Sequence, residues 1–312
     1  MIRQRNIGAD LLRIIACYMV VSIHFGSTLP CADFAVPCFF ALSFVFLSLN
    51  LSVNELNKRL LRLYIPFAFW GCAGFVMRCL RDHSLQFRYL VMQLFFGQTC
   101  NLMLWFVSVL MIVTIFMVAL QKINLCGYWW ALGMVFLLSF VFEFVGLNFR
   151  FCSKLPSAMS MTVGRIVEML PYAVLGIVIV KCGERWLSGR IALVVAGSLF
   201  LCGLVLRVFG VEIPYQGFGY GGVVRFVGVA GVVILFVCVL RRFAYCFDNM
   251  RCIINHMAGC TAGVYYMHKL VGESIRRFLW EGDDIFLTAI VVGSSYLLVL
   301  LMRRCGLGLL VK

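Results

Sequence analysis

Long apolar segments separated by short polar stretches run along the chain from residue 8 to residue 310. A helix needs about 20 predominantly apolar residues to cross the roughly 30 Å hydrocarbon core of a bilayer, so segments of this length predict spanning helices. The pattern predicts one all-α integral membrane domain over residues 1–312, a bundle of about ten transmembrane helices. Their approximate limits are 8–29, 34–50, 60–80, 101–121, 128–147, 163–181, 190–210, 220–240, 257–279 and 284–303.

Two apolar stretches need an interpretation other than a simple spanning helix, or have one that competes with it. Residues 87–98 cover only about half a span, which is typical of an interfacial or re-entrant helix. The N-terminal stretch resembles a secretory signal peptide because basic residues precede it, but Arg13 and His24 interrupt its apolar run. It is therefore interpreted as the first spanning helix.

Lys and Arg residues indicate how the helices are oriented, because the cytoplasmic loops of membrane proteins are enriched in them. With an even number of spans and the N-terminus inside, most Lys and Arg residues fall on the inner side. The distribution predicts that both termini face the cytoplasm. Residues 149–160 and the acidic segment with Glu281, Asp283 and Asp284 are then expected outside.

Composition agrees with a chain surrounded by lipid. Hydrophobic residues make up 63% of it and charged residues 13%, whereas about 25% of a soluble domain is charged. The net charge of +14 does not indicate a nucleic-acid partner, because the basic residues lie between apolar segments and not on one soluble face. It suits the anionic lipid of a cytoplasmic leaflet and a polyanionic cosubstrate.

The 15 cysteines do not form the pattern of a disulfide framework. Several, including Cys17, Cys38 and Cys260, sit inside apolar segments, where cysteine acts as a small hydrophobic residue. No C-x-x-C pair and no zinc-type spacing of Cys and His is present, so no metal site is expected. Pairing among Cys31, Cys100 and Cys152, in loops predicted to lie outside, remains an open alternative.

Ionisable residues inside apolar segments are the candidates for function, because a charge at membrane depth costs several kcal/mol and usually faces the bundle interior. They are Asp10, Arg13, His24, Glu143, Arg165, Glu168, Arg225, His268, Lys269 and Glu273. Some also have a structural interpretation as pairs within one helix, three or four residues apart. These pairs are Asp10 with Arg13, Arg165 with Glu168, and Lys269 with Glu273. Arg225, near the outer end of its helix, can reach the interface with its long side chain.

Arg13 and His24 are placed to line one elongated cavity. They are eleven residues apart, so they share a helix face and lie about 16 Å apart along the helix axis. A lone intramembrane histidine also has an ordinary role as a hydrogen-bond partner between helices. Arg59 and Arg62, three residues apart at the cytoplasmic start of the third span, are either a positive anchor or a phosphate clamp, since guanidinium groups bind phosphate oxygens in pairs.

Five motifs in this chain resemble those of the acyltransferase 3 family of membrane-bound O-acyltransferases, in the family's order and spacing. They are the Arg13 and His24 pair of the first helix, Val36-Pro-Cys-Phe-Phe-Ala-Leu-Ser43, Arg59-Leu-Leu-Arg62 followed by Leu-Tyr-Ile-Pro66, Leu104-Trp105-Phe106, and Gly263-Val-Tyr-Tyr266-Met-His268. The sequence departs from the family pattern at Phe44, where Gly is usual, and at Lys269, near which Pro is common.

The resemblance implies an inner-membrane enzyme that moves an acyl group from cytoplasmic acyl-CoA to a hydroxyl of an extracytoplasmic or lipid-linked acceptor, often a glycan. Acetyl is the expected group, with succinyl or a branched acyl group as alternatives. Acyl-CoA is a cosubstrate, and no permanently bound cofactor is expected. The chain is similar to stand-alone members that have no fused soluble domain.

The candidate site residues fall into three groups. The catalytic candidates are His24, Arg13 and His268, with His24 as the base that takes the acceptor hydroxyl's proton, since the ordinary pKa of a histidine is about 6.5. The acyl-CoA-binding candidates are Arg59, Arg62 and Arg13. The acceptor-site or structural candidates are Asp10, Ser43, Trp105, Glu168, Arg165, Arg225 and Tyr266.

Three alternatives remain open at this point. One is a covalent acyl-histidine intermediate, because imidazole is also a nucleophile. Another is a transporter or flippase that moves an anionic solute past Arg13, Arg165 and Arg225. The third is a catalytically silent scaffold. The sequence does not indicate the acceptor or the oligomeric state.

Overall fold

The structure is a computed structural model that describes residues 6–25, 32–47, 51–83, 87–97, 104–123, 128–144, 157–186, 190–209, 221–278 and 285–311. These residues are almost entirely helical and include no strand. The α-helices are α1 (Ile7–His24), α2 (Ala35–Val45), α3 (Val53–Asp82), α4 (Phe87–Phe96), α5 (Trp105–Ile123), α6 (Tyr128–Phe144), α7 (Ser157–Trp186), α8 (Arg190–Val208), α9 (Val223–Ile234), α10 (Arg251–Phe278) and α11 (Ile285–Arg304).

Six helical stretches of the described residues are long and apolar enough to cross a membrane. They are Ile7–His24, Val53–Leu80, Trp105–Lys122, Met159–Lys181, Val223–Phe278 and Ile285–Arg304. Four shorter apolar helices lie at the other predicted spans and at the half-length segment: Ala32–Val45, Phe87–Phe96, Tyr128–Phe142 and Arg190–Leu206. The chain is therefore a multi-pass α-helical membrane protein, while the number of ten spans and the inward termini remain predictions.

Helix α3 starts earlier than the apolar pattern predicts. Ser52 caps it by accepting a hydrogen bond from the Glu55 N–H, and the Glu55 carboxylate accepts in return from the Ser52 N–H at 2.8 Å. This reciprocal pair is a capping box, which fixes the first turn of a helix regardless of where the apolar run begins. Arg59 and Arg62 consequently lie inside α3 and not at its start.

A continuous helical path joins α9 to α10, where the sequence predicts a polar loop. A π turn (Leu235–Val239) follows α9, and a 3₁₀ segment (Leu240–Met250) with no buried side chain leads into α10. The backbone kinks at Phe243, whose φ and ψ are −94° and 21°. Because the whole path of 56 residues far exceeds one crossing of about 20 residues, this exposed segment separates two apolar stretches.

The start of α1 rests on the π turn. Gly8 packs against the carbonyl oxygen of Phe236 with no space for a Cβ. The Asn6 side chain accepts from the Ala9 N–H at 3.1 Å, which caps α1, and its Nδ2 donates to the Val237 carbonyl at 2.9 Å. A π turn interrupts the regular helical ladder, so a side-chain donor here satisfies a carbonyl at the interruption.

α1 lies in the centre of the bundle, against α10, α2 and α11, while α2 packs on α7 and α8 on α9. Glycines allow the closest crossings, as expected where membrane helices associate by backbone approach. Gly176 of α7 meets the backbone of Ala41 in α2, and Gly203 of α8 meets Gly228 of α9. The close packing fixes how α1 faces α10.

Candidate active site

His24 is the last residue of α1, and its side chain is half-buried. The helix closes at Phe25, whose N–H donates to the Ser22 carbonyl at 3.2 Å. The predicted first span extends to residue 29, and residues 26–31 lie outside the described part of the chain. His24 therefore stands at the end of the described helix.

His268 lies within α10 and is 4% exposed. Its Nδ1 is 2.7 Å from the Tyr265 carbonyl oxygen. A carbonyl only accepts, so this hydrogen bond places the proton on Nδ1 and leaves Nε2 as a hydrogen-bond acceptor. Nε2 is buried and has no hydrogen-bond partner among the described residues.

The imidazoles of His24 and His268 are stacked, with ring centroids 5.2 Å apart and planes 26° from parallel. The lone pair of an imidazole nitrogen lies in the plane of its ring, so rings stacked in this way do not hydrogen-bond to each other. His24 and His268, which are 244 positions apart (268 − 24) in the sequence, thus meet in space. Their ring nitrogens point outward in the ring planes and not at the other ring.

Aromatic rings and one ammonium group surround the histidine stack. The Tyr265 ring lies 5.8 Å from the His268 ring, and Phe106 at the start of α5 lies 5.5 Å from Tyr265. The Lys269 side chain is half-buried and close enough for its charge to act on both imidazoles. The stack therefore has an apolar wall on α5 and α10 and a positive charge beside it.

The crossing of α1 and α10 is fixed on both sides of the stack. Beyond it, Phe25 packs on Gly272, and the Arg276 guanidinium lies over the Phe25 ring, 5.1 Å from its centroid. On the other side, the Cys17 thiol donates to the Thr261 carbonyl at 3.7 Å. These contacts hold His24 opposite His268.

Arg13 lies on α1, eleven residues before His24. Its Nη1 is 3.3 Å from the Asp10 carboxylate, so the helical ion pair predicted from the sequence is confirmed. Asp10 itself is almost fully buried. The Arg13 guanidinium also lies over the Phe46 ring at the end of α2, 4.7 Å from its centroid.

Arg59 turns toward the same end of α2. Its Nη2 donates to the Ser43 carbonyl at 3.1 Å, while the Ser43 hydroxyl donates to the Phe39 carbonyl at 2.9 Å. Arg59 is close enough to Arg13 for their charges to interact. Arg62 is exposed. The structure thus brings Arg13 and Arg59 together at the end of α2 and leaves Arg62 at the surface of α3.

Arg165 and Glu168 are both buried in α7. The Arg165 guanidinium lies over the Trp105 ring, 3.8 Å from its centroid, and Trp105 is 3% exposed. A guanidinium stacked on an indole is a favourable cation–π contact, strongest where water is excluded. Trp105 thereby links the start of α5 to α7.

Arg225 forms an ion pair that the sequence does not predict. Its Nε and Nη2 both lie 2.9 Å from Oδ2 of Asp33, and its Nη1 donates to the Gly221 carbonyl at 2.9 Å. Asp33 belongs to a short 3₁₀ turn before α2 and is half-buried. The pair ties that turn to the start of α9.

Tyr266 is buried on α10 and its hydroxyl donates to the Leu63 carbonyl of α3 at 3.4 Å. Pro66 lies in the same turn of α3, where its missing N–H loosens the helical hydrogen-bond ladder. Tyr266 therefore connects α10 to α3 and is not part of the histidine stack.

The remaining predicted features lie away from the histidine stack or make weaker contacts. Lys269 and Glu273 interact through charge, but no ion pair of 4.0 Å or less joins them. The Glu143 side chain and the cysteines at positions 31, 100 and 152 lie outside the described part of the structure. Within that part, the cysteines that can be described are free, and no three His, Cys, Asp or Glu side chains gather in a way that could hold a metal.

Sequence reasoning misses several residues that shape the site. Asp33 lies just before the predicted span 34–50, so the search for charges inside apolar segments does not reach it, and Phe25 carries no charge. Tyr265 contributes a backbone carbonyl, which no residue type encodes. Gly272 could have been noticed as a glycine in a helix interior, since such a residue often marks close packing.

One family model, described as an acyltransferase domain and named for acyltransferase 3, matches residues 6–304. The match covers nearly the whole chain and includes both histidines and all the arginines described above. No curated protein and no solved structure matches.

Proposed function

Because the chain belongs to the acyltransferase 3 family, it is a membrane acyltransferase, and we propose that it moves an acyl group from cytoplasmic acyl-CoA to a hydroxyl group. Acetyl is the proposed group, and a glycan or a lipid-linked molecule the proposed acceptor. The proposed location is the inner (plasma) membrane, with both termini in the cytoplasm.

One observation carries this proposal: two arginines meet beside the first half of α1, and two histidines meet at its end. Arg13 meets Arg59 beside the end of α2, and His24 stacks on His268. Eleven residues of α-helix separate the two pairs by about 16 Å. A long donor molecule with phosphates at one end and a thioester at the other suits such a spacing.

The arginine end is proposed to hold the CoA phosphates. Arg13 pairs with the Asp10 carboxylate, whereas Arg59 donates to a carbonyl that carries no net charge. Guanidinium groups bind phosphate oxygens by paired, charge-assisted hydrogen bonds. The competing structural role is that Arg59 satisfies the last carbonyls of α2, which basic side chains commonly do. Arg62, exposed on α3, is proposed as a further phosphate contact.

The histidine end is proposed to perform the transfer. His24 takes the proton of the acceptor hydroxyl as its oxygen attacks the thioester carbonyl. A C–O bond forms, the C–S bond breaks, and the proton passes to the departing CoA sulfur. A positively charged Lys269 near the stack suits the negative charge that develops on the carbonyl oxygen. In the covalent alternative, a His24 nitrogen attacks first and carries the acyl group.

The test is transfer of label from radiolabelled acetyl-CoA into the glycan and lipid fractions of membranes that contain the protein. His24→Ala should lower transfer by about 10²-fold or more, as expected for loss of a general base, and should still bind CoA. His256→Ala is the matched control, because it removes an exposed histidine from the same helix as His268. Transfer at the parental rate by purified His24→Ala would refute the assignment, whereas label trapped on His24 would favour the covalent route.

A further inference from the structure

Two arginines share one tyrosine ring where α3 turns back into α4. The Arg78 guanidinium of α3 lies over the Tyr89 ring of α4, 4.2 Å from its centroid. The Arg88 guanidinium lies over the same ring, 5.1 Å from its centroid, and its Nη2 donates to the Tyr89 hydroxyl at 3.5 Å. One cation–π contact would already join the two helices. Two guanidinium groups at one ring repel each other unless an anion contacts both.

This pair lies at the membrane surface opposite to that of Arg59. Arg78 is 19 positions after Arg59 (78 − 59) on the same helix, which corresponds to about 28 Å and is close to the thickness of the hydrocarbon core, roughly 30 Å. The residues from Leu63 to Met77 carry no charge. When Arg59 is at the headgroups of one leaflet, Arg78 is therefore at the headgroups of the other.

Apolar side chains next to the arginine pair are exposed. Met77 precedes Arg78, Leu80 follows it by two positions, and Phe87 precedes Arg88, and all three are exposed. In a membrane protein, exposed apolar side chains at this depth are covered by lipid chains. The molecules that surround the arginine pair therefore have apolar chains and a polar headgroup at the same level as the guanidinium groups.

We propose that Arg78 and Arg88 bind the headgroup phosphate of an anionic phospholipid. The phosphate oxygens accept charge-assisted hydrogen bonds from both guanidinium groups, and the Tyr89 ring holds these groups in place. A headgroup with a net negative charge binds better than a zwitterionic one, because the arginines repel the cationic group of the latter. The bound lipid holds the start of α4, a helix of 10 residues that is too short to cross the bilayer, against the end of α3.

The experiment titrates the purified protein in detergent with dioleoyl phosphatidylglycerol and with dioleoyl phosphatidylcholine, which have the same chains. Each Kd is measured by native mass spectrometry. The Kd for phosphatidylglycerol should be lower by about 10-fold or more, as expected for charge-assisted hydrogen bonds. Arg78→Gln and Arg88→Gln should each raise it to near the value for phosphatidylcholine. The double variant should add little, because two groups that bind one phosphate do not act independently.

Arg277→Gln is the matched control. Arg277 is also exposed, and its guanidinium lies over an aromatic ring, 5.8 Å from the centroid of Phe278. Among the described residues, that ring has a single guanidinium over it, so this variant should keep the parental ratio of the two Kd values. Because the ratio compares two lipids on one sample, it remains measurable when a variant folds in lower yield.

Equal Kd values for the two lipids in the parent, or an unchanged ratio in the double variant, would overturn the lipid site. An equal loss of the ratio in Arg277→Gln would also overturn it, because the preference would then come from overall charge. A third probe, glycerol 3-phosphate, has the phosphate without acyl chains and should bind more weakly. If it bound as tightly as phosphatidylglycerol, the arginine pair would be a site for a soluble phosphate compound and not for a lipid. These measurements need neither acetyl-CoA nor an acceptor, so their outcome is separate from that of the proposed acyl transfer.

Discussion

Gly272 of α10 lies against the aromatic ring of Phe25, the residue next to His24, and a Cβ at Gly272 would overlap that ring. We therefore expect Gly272→Ala to push Phe25 and His24 away from α10. A displacement of about 1 Å at a reacting group can cost 10²-fold in rate, so kcat should fall by at least about 10-fold. Overpacking should also destabilise the protein by about 1–3 kcal/mol. Both effects are measurable as acyl transfer and thermal unfolding in detergent.

Gly259→Ala is the matched control for Gly272→Ala. It lies on the same helix, and the nearest heavy atom to an added Cβ there is 3.9 Å away, on Arg303. Replacing glycine by alanine in a helix interior favours the helix by up to about 1 kcal/mol, so this variant should keep its activity and stability. Equal losses in both variants would mean that the Phe25 contact does not position His24.

Neutralising Arg59 and Arg62 of α3 should weaken donor binding. We expect the double variant Arg59→Ala with Arg62→Ala to raise the Kd for acetyl-CoA by about 10-fold or more, with most of the effect from Arg59, which lies beside Arg13. Lysine at position 59 should restore only part of it, because an ammonium lacks the paired donors. Arg190→Ala, an exposed arginine at the start of α8, is the control. Unchanged CoA affinity in the double variant would leave only the anchoring role.

The Asp33 and Arg225 pair separates the acyltransferase from the transporter alternative. If the pair is structural, Asp33→Asn and Arg225→Gln should each destabilise the protein by about 1 kcal/mol, discounted for partial exposure, and the double variant should lose less than the sum. Transfer by the double variant should stay within a few-fold of the parent. If Arg225 instead binds a transported anion, its loss should abolish solute uptake into vesicles even when Asp33 is also replaced.

Both termini are expected in the cytoplasm, with the acidic segment that contains Asp283 outside. An Asp283→Cys variant, made in a background without the native cysteines, should react with a membrane-impermeant maleimide in intact cells. Lys312→Cys should react only after the membrane is opened. Reaction of position 283 only after opening would reverse the predicted orientation.

The sequence predicts much of the helical architecture because the length of each apolar segment follows directly from its residue types. It does not predict the early start of α3, since the Ser52 and Glu55 capping box acts outside the apolar run. It also predicts a loop where Arg241 and Arg242 lie, although the chain stays helical there with these side chains exposed. Charged residues lower the hydropathy of a segment without breaking its backbone hydrogen bonds.

The candidate site is predicted residue by residue but not as an arrangement. His24 and His268 both stand out as ionisable groups in apolar segments, yet their stacking depends on how α1 crosses α10. That crossing is set by contacts such as Gly272 with Phe25, which involve shape and not charge. Arg225 is likewise visible in the sequence, but its partner Asp33 lies in a turn before α2, away from the charges that the apolar segments contain.

The π turn at Leu235–Val239 has a consequence for how this chain tolerates insertions and deletions. A π turn closes its hydrogen bonds one residue later than an α-helix, so it stores one additional residue within a helix. Deleting a single residue there should restore the α-helical repeat, and α9 and the 3₁₀ segment should keep their relative orientation because the π turn already accommodates the additional residue. Arg225 would then still face Asp33. Among relatives of this chain, those one residue shorter at this point should therefore lack the Asn6 donor to the Val237 carbonyl and keep the Asp33 partner of Arg225.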